Sequence, residues 1–106
     1  MTSCDDIIEV VDISESTVGV LAPKNDVTLK EGEINFTWTA VDDTETYRLQ
    51  IATPNFENAQ QIVTDSTLTA TMFTKMLSTG NYQWRVRAEN SDYNTVFATN
   101  TFTIEE

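Results

Sequence analysis

Between Gly80 and Asn90 the chain reads GNYQWRVRAEN, and its residues sort by parity. Tyr82, Trp84, Val86 and Ala88 fall on one side; Gln83, Arg85, Arg87 and Glu89 fall on the other. Successive side chains of a strand point to opposite faces, so this segment has one dry side and one wet side. The same period recurs along the chain. Ile34, Phe36, Trp38 and Ala40 alternate with Asn35, Thr37 and Thr39, and Tyr47, Leu49 and Ile51 alternate with Arg48 and Gln50. QIVT at 61–64 is a short strand, and Leu68, Ala70 and Met72 alternate with Thr69 and Thr71. Val96, Ala98, Phe102 and Ile104 share one side of a last strand, with Asn100 in register. TVGVLAP and DVTLKEG read as one further strand interrupted at Pro23, a residue tolerated at sheet edges and bulges. Phe73 and Phe97 fall out of register and mark bulges or a second small contact. About seven such strands at short spacing predict an antiparallel sandwich or barrel.

Composition agrees with this pattern and narrows the function classes. Eighteen of the 106 residues are threonine, whose β-branched side chain suits a half-buried pleated surface. The length fits one domain, and 40% hydrophobic residues suffice for one core. The formal charge of −11 repels phosphate backbones and anionic lipid heads, so nucleic acid is not an expected partner. Without histidine there is no His-based triad, His metal ligand or His general base. The single cysteine, Cys4, has no partner for an internal disulfide, and a thiolate zinc site needs more ligands. No run approaches the roughly 18 apolar residues of a membrane helix.

The chain divides at about residue 17. Residues 1–16, MTSCDDIIEVVDISES, hold five acidic residues and no basic one, and read as a terminal tether. Ile7, Ile8, Val10, Val11 and Ile13 keep an edge strand open as the alternative. Residues 17–106 form the expected sandwich.

INFTWTAVDDTETYRLQIATPNFENAQQIV, followed by LSTGNYQWRVRAEN, resembles a fibronectin type III domain, especially the variety of Gram-negative outer-membrane lipoproteins. Trp38 matches the core tryptophan of the second strand, and Tyr47 and Leu49 match the core pair of the third. Leu77, Gly80 and Tyr82 match the approach to a tyrosine corner, in which the hydroxyl bonds back to an upstream backbone group. With Trp84 and Val86 these make up the expected structural core. The resemblance spans roughly residues 19–104 and implies an all-β, seven-stranded antiparallel sandwich of fibronectin type III or immunoglobulin-like type. It says little about function, because folds of this kind host many roles.

Ser3-Cys4-Asp5-Asp6 resembles the end of a lipobox, which makes Cys4 the candidate lipidation residue. The acidic residues after it resemble the signal that sends lipoproteins to the outside of the outer membrane. Several acyl chains, at ~0.8 kcal/mol per buried methylene, would hold such a protein on a bilayer. The implied setting is the outer-membrane surface, reached after removal of a signal peptide not present in this sequence.

If the strands run as in fibronectin type III, loops 41–46, 64–67 and 89–95 share one end. Asp42, Asp43, Asp65, Asp92 and Tyr93 would then form an acidic tip, suited to calcium or a basic partner. The same residues serve turn geometry in solvated loops, and with no calcium-loop spacing this is the stronger reading, with no metal expected. The chain would enter at that end and leave at the other, so a lipid on Cys4 turns the acidic tip toward the membrane. Asp5 to Ser16 could stretch ~40 Å at ~3.3–3.6 Å per residue, so the orientation is loose. Loops 53–59 and 73–81 and the C-terminus would face outward, with Phe56 and Lys75 as partner contacts.

Trp38, Trp84, Tyr47 and Tyr82 fall on inward registers, which leaves Tyr93, Phe56 and Phe97 as the rings outside the core. One or two exposed rings make a poor glycan platform, and no segment forms a cleft that fixes two carboxylates for hydrolysis. The NFT sequon at 35–37 lies in a predicted strand, and DST at 65–67 resembles a bacterial O-glycosylation motif. The leading expectation is a monomeric, non-catalytic, surface-tethered spacer or protein-interaction module without cofactor. The alternative is a carbohydrate-binding accessory module of a glycan-uptake system, whose partner is a glycan.

Overall fold

The structure, a computed structural model, describes residues 11–106. Eight strands follow one another: β1 (Val20–Ala22), β2 (Val27–Lys30), β3 (Gly32–Trp38), β4 (Thr46–Thr53), β5 (Gln61–Leu68), β6 (Met72–Leu77), β7 (Gly80–Glu89) and β8 (Ala98–Glu105). They make two sheets, β1-β3-β6 and β2-β8-β7-β4-β5, whose apolar faces meet. The fold is an all-β sandwich. The eighth strand comes from the break at Pro23: β1 pairs antiparallel with β3, and β2 then crosses to pair parallel with β8. Proline has no N–H for a ladder. Its carbonyl instead accepts from Trp84 Nε1 at 3.1 Å and Asn100 Nδ2 at 3.2 Å, which anchors the crossover to the opposite sheet.

The core follows the parity of the sequence. Phe36, Leu49, Ile51, Trp84 and Val86 are fully buried, and Trp38, Tyr47, Leu77, Tyr82, Phe102 and Ile104 nearly so. Trp84 sits at the centre, edge-on to Phe36 at 5.2 Å and tilted against Trp38 at 6.3 Å between ring centroids. Burying rings of this size contributes on the order of 2–3 kcal/mol each by area. The tyrosine corner is present: Tyr82 OH donates to the Ser78 carbonyl at 2.9 Å. Gly80, at φ +153°, brings its backbone up to that ring, where an added Cβ would lie 3.6 Å from a ring carbon.

Several expectations need correction. Residues 64–67 are not a loop but the middle of β5, laddered against Leu49–Ile51 and Arg48 of β4. Residues 68–72 are not a strand; Leu68 ends β5, 69–71 form the turn, and Met72, 58% exposed, starts β6. β6 in turn takes up most of the expected loop 73–81, and Phe73 sits in regular register opposite Phe36. Val96 lies outside β8 and is 68% exposed rather than inward. Within the expected tether, Ile13 is only 2% exposed and joins the core with Val18. Cys4 lies outside the described residues.

Candidate functional site

Strand direction sets up two ends. The loops 39–45, 69–71 and 90–97 lie at one end, where the chain also enters β1; the loop 54–60, residues 78–79 and the C-terminus lie at the other. At the first end Asn90 does the organising. Its Nδ2 donates to the Val11 carbonyl at 2.8 Å and the Asp43 carbonyl at 3.3 Å. Its Oδ1 accepts from the backbone N–H of Asp92 and Tyr93 at 3.1 and 2.9 Å. Asp42, Asp43, Asp92 and Tyr93 therefore do share a tip, with Tyr93 36% exposed. Asp65 does not join them. It sits opposite Gln50, about 13 Å down β4 from Thr46 at ~3.3 Å per residue. Among the described residues no three carboxylates converge on a point that could hold a cation.

Asp65 belongs to a different assembly, on the outer face of the five-stranded sheet. All three arginines of the chain lie there, on β4 and β7. Arg48 grips Asp65 with two parallel bonds, Nε to Oδ1 at 2.8 Å and Nη2 to Oδ2 at 2.9 Å. That bidentate guanidinium holds the Asp65 carboxyl below the usual carboxylate range, against a smaller opposing effect of desolvation. Arg87 donates Nε to Glu89 at 2.8 Å.

Arg85 is held in another way. Its Nε donates to Gln50 Oε1 at 2.7 Å, and its guanidinium lies 4.0 Å from the Phe56 ring and 4.4 Å from the Phe97 ring. Arg87 reaches Phe97 as well, at 4.7 Å. The loop after β4 and the segment before β8, from opposite ends of the sandwich, thus each lay a phenyl ring against one cation. Phe56 is fixed by its N–H, which donates to Gln83 Oε1 at 2.9 Å. Burial, then the charge of Arg87, lowers the Arg85 pKa. Beside this stack lies an open concavity of about 390 Å³, lined by Pro54, Asn55, Glu57, Asn81, Gln83 and Thr101.

Sequence reading treats Arg85 and Arg87 as the solvent side of a strand, and so they are. It misses the clasp, because Phe56 and Phe97 are far apart in the chain and only strand pairing brings them together. The one available signal is that both rings fall outside every apolar register.

A third surface is an apolar groove of about 430 Å³ between β1, β2 and β3, with Leu21, Val27, Leu29 and Ile34 among its lining. It opens where β1 stops pairing after Thr37, so β3 from Gly32 to Phe36 has no neighbour on that side among the described residues.

No family model matches the chain, and no curated protein matches it. Solved structures do. An engineered protein aligns over 84% of this chain at TM-score 0.64 and 10% identity, where the chain spans only 20% of that protein's length. The fibronectin(III)-like modules of Clostridium thermocellum CbhA align over 82% of this chain and 92% of theirs, at TM-score 0.52 and 16% identity. A fibronectin type III domain derived from human KIAA0970 protein aligns over 83% of this chain and 70% of its own, at TM-score 0.55 and 13% identity. The likeness is one of fold, and the fold is that of a fibronectin type III-like sandwich.

Proposed function

We propose that this chain is a non-catalytic spacer or protein-interaction module, tethered to the outer-membrane surface by a lipid on Cys4. One observation carries the reading: every large ring but Tyr93 is buried in the core, packed against it as Phe73 is, or, as with Phe56 and Phe97, laid against a guanidinium. Tyr93 alone stands apart, and one ring cannot build a stacking platform for neutral sugars. The chain enters at one end of the sandwich and leaves at the other, an arrangement that suits holding a neighbour at a distance. The tether itself rests on the likeness of Ser3-Cys4-Asp5-Asp6 to a lipobox end.

Melting the protein across a panel of neutral oligosaccharides tests the reading. No shift in midpoint is expected at any concentration. A shift that grows with ligand excess and vanishes in Tyr93→Ala would replace the module with a glycan binder. Labelling the exported chain with a tagged fatty acid checks the tether: label is expected on the natural sequence and not on Cys4→Ser.

A further inference from the structure

We infer that the outer face of β7, centred on Arg85, binds a sugar bearing a single carboxylate. The inference goes beyond the proposed function, which names a spacer or a protein partner, and adds an acidic-sugar ligand at this face. Arg85 spends only its Nε, on Gln50; its two Nη groups have no acceptor among the described residues. Two rings and one hydrogen bond fix the guanidinium plane, so little side-chain freedom remains to be lost when a ligand docks. A planar fork with unspent donors matches the two oxygens of a carboxylate. Arg87, which shares Phe97, is paired with Glu89, and this leaves Arg85 as the cation of the face with both Nη groups unspent and no carboxylate partner among the described residues.

The surroundings define the rest of the ligand. Along the same face of β7 come Gln83 and Asn81, the latter about 13 Å from Arg85 at ~3.3 Å per residue, and they border the open concavity. Asn81 and Asn55 each use the amide oxygen inside the protein, Asn81 for Thr103 and Asn55 for the Asn58 N–H. Their Nδ2 groups have no acceptor among the described residues and offer donors to hydroxyl oxygens. Glu57 in the same lining offers an acceptor to a hydroxyl proton and opposes a second negative charge there. The overall charge of −11 opposes a polyanion in the same way.

A peptide carboxylate fits less well. β7 is laddered on both sides, by β4 and β8, so its backbone cannot accept an added strand. Phe56 and Phe97 turn ring faces to the guanidinium and form no socket for an apolar side chain.

The test compares three probes by two-dimensional NMR of the whole protein: a trisaccharide ending in glucuronate, the same trisaccharide ending in glucose, and a tripeptide with a central glutamate. The acidic sugar should give saturable shifts of the Arg85 Nε–H and the Asn81 side-chain amide. The neutral sugar should give no saturable shift, and Arg85→Gln and Arg85→Lys should bind the acidic sugar at least about tenfold more weakly, since a charged two-point hydrogen bond is lost in each case. No saturable shift with glucuronate, or equal shifts with the glucose-ended probe, overturns the inference. So does equal or tighter binding of the tripeptide, which would make the site a protein dock. The comparison of probes needs no variant, so it stands even if an Arg85 substitution fails to fold. Absence of glucuronate binding removes the ligand and leaves the module reading intact; that reading fails only with neutral glycans.

Discussion

The two faces of β7 come from one ten-residue stretch and are held by different physics. On the inner face Tyr82, Trp84, Val86 and Ala88 are buried, and Trp84 has rings on two sides and a backbone carbonyl on its N–H. On the outer face Gln83, Arg85, Arg87 and Glu89 are half-buried, each bonded to a neighbouring strand, loop or side chain. The inner face draws on area removed from water, which no rearrangement of the solvent replaces. The outer face draws on ion pairs and ring–cation contacts that water and salt partly substitute. Stability should therefore follow the inner face, and recognition can be built on the outer one at small cost.

The largest break in this comparison is Trp84→Ala. It removes a fully buried indole and leaves the Pro23 carbonyl with Asn100 alone, so a loss of about 3–5 kcal/mol in denaturant unfolding is expected. A loss below about 1 kcal/mol would mean that the core is not organised around this ring. A finer version sets the two tryptophans against each other. Trp84 Nε1 has its acceptor, whereas Trp38 Nε1 is buried with no partner among the described residues. Trp84→Phe gives up a hydrogen bond and orphans part of an acceptor; Trp38→Phe removes an unsatisfied donor. Beyond the shared volume change, Trp84→Phe should be the costlier by about 1 kcal/mol, read from paired urea midpoints.

What the sequence shows plainly and what it hides divide along the same two faces. Inward registers are legible because burial demands period two, and Trp38, Tyr47, Leu49, Tyr82, Trp84 and Val86 all sit where parity puts them. The second half of β5 is hidden because TDST looks like a turn, although QIVT marks the first half. Its strand is dictated by the ladder to β4, with Thr64 turned inward and Asp65 drawn to Arg48, neither of which is a local property. The reverse error arises at 68–72, where three small or apolar residues alternate by chance across a turn that only the β5–β6 crossover requires. Ile13 is hidden for a third reason: the apolar residues at 7, 8, 10, 11 and 13 follow no clean period, yet Ile13 joins the core with Val18. The Arg85 clasp is the extreme case, since nothing near Arg85 in sequence announces Phe56 or Phe97.

Smaller effects sharpen the outer side of the comparison. Phe97→Ala strips a ring shared by Arg85 and Arg87 and should cost about 0.5–1 kcal/mol, the range for exposed ring–cation contacts. That cost should shrink as salt rises, while the cost of Trp84→Ala should not, because screening reaches one face and not the other. Equal salt dependence of the two variants would mean that the faces are coupled through the sheet.

The smallest effect concerns pH. Asp65 ionises more readily in the folded chain because Arg48 bonds its carboxylate, so its folded pKa lies below its unfolded value, near the ordinary 3.8. A depressed carboxyl binds fewer protons folded than unfolded in that interval, so its stabilisation is fully present above the unfolded pKa and is lost as pH falls through the folded one. Asp65→Asn should leave the acid limb of the melting curve flatter below about pH 4, with a small offset at neutral pH, because both partners are well exposed and solvent weakens the pair. A loss at pH 7 as large as that of Trp84→Ala would show that the outer face is structural in its own right. The division of labour between the two sides of β7 would then fail.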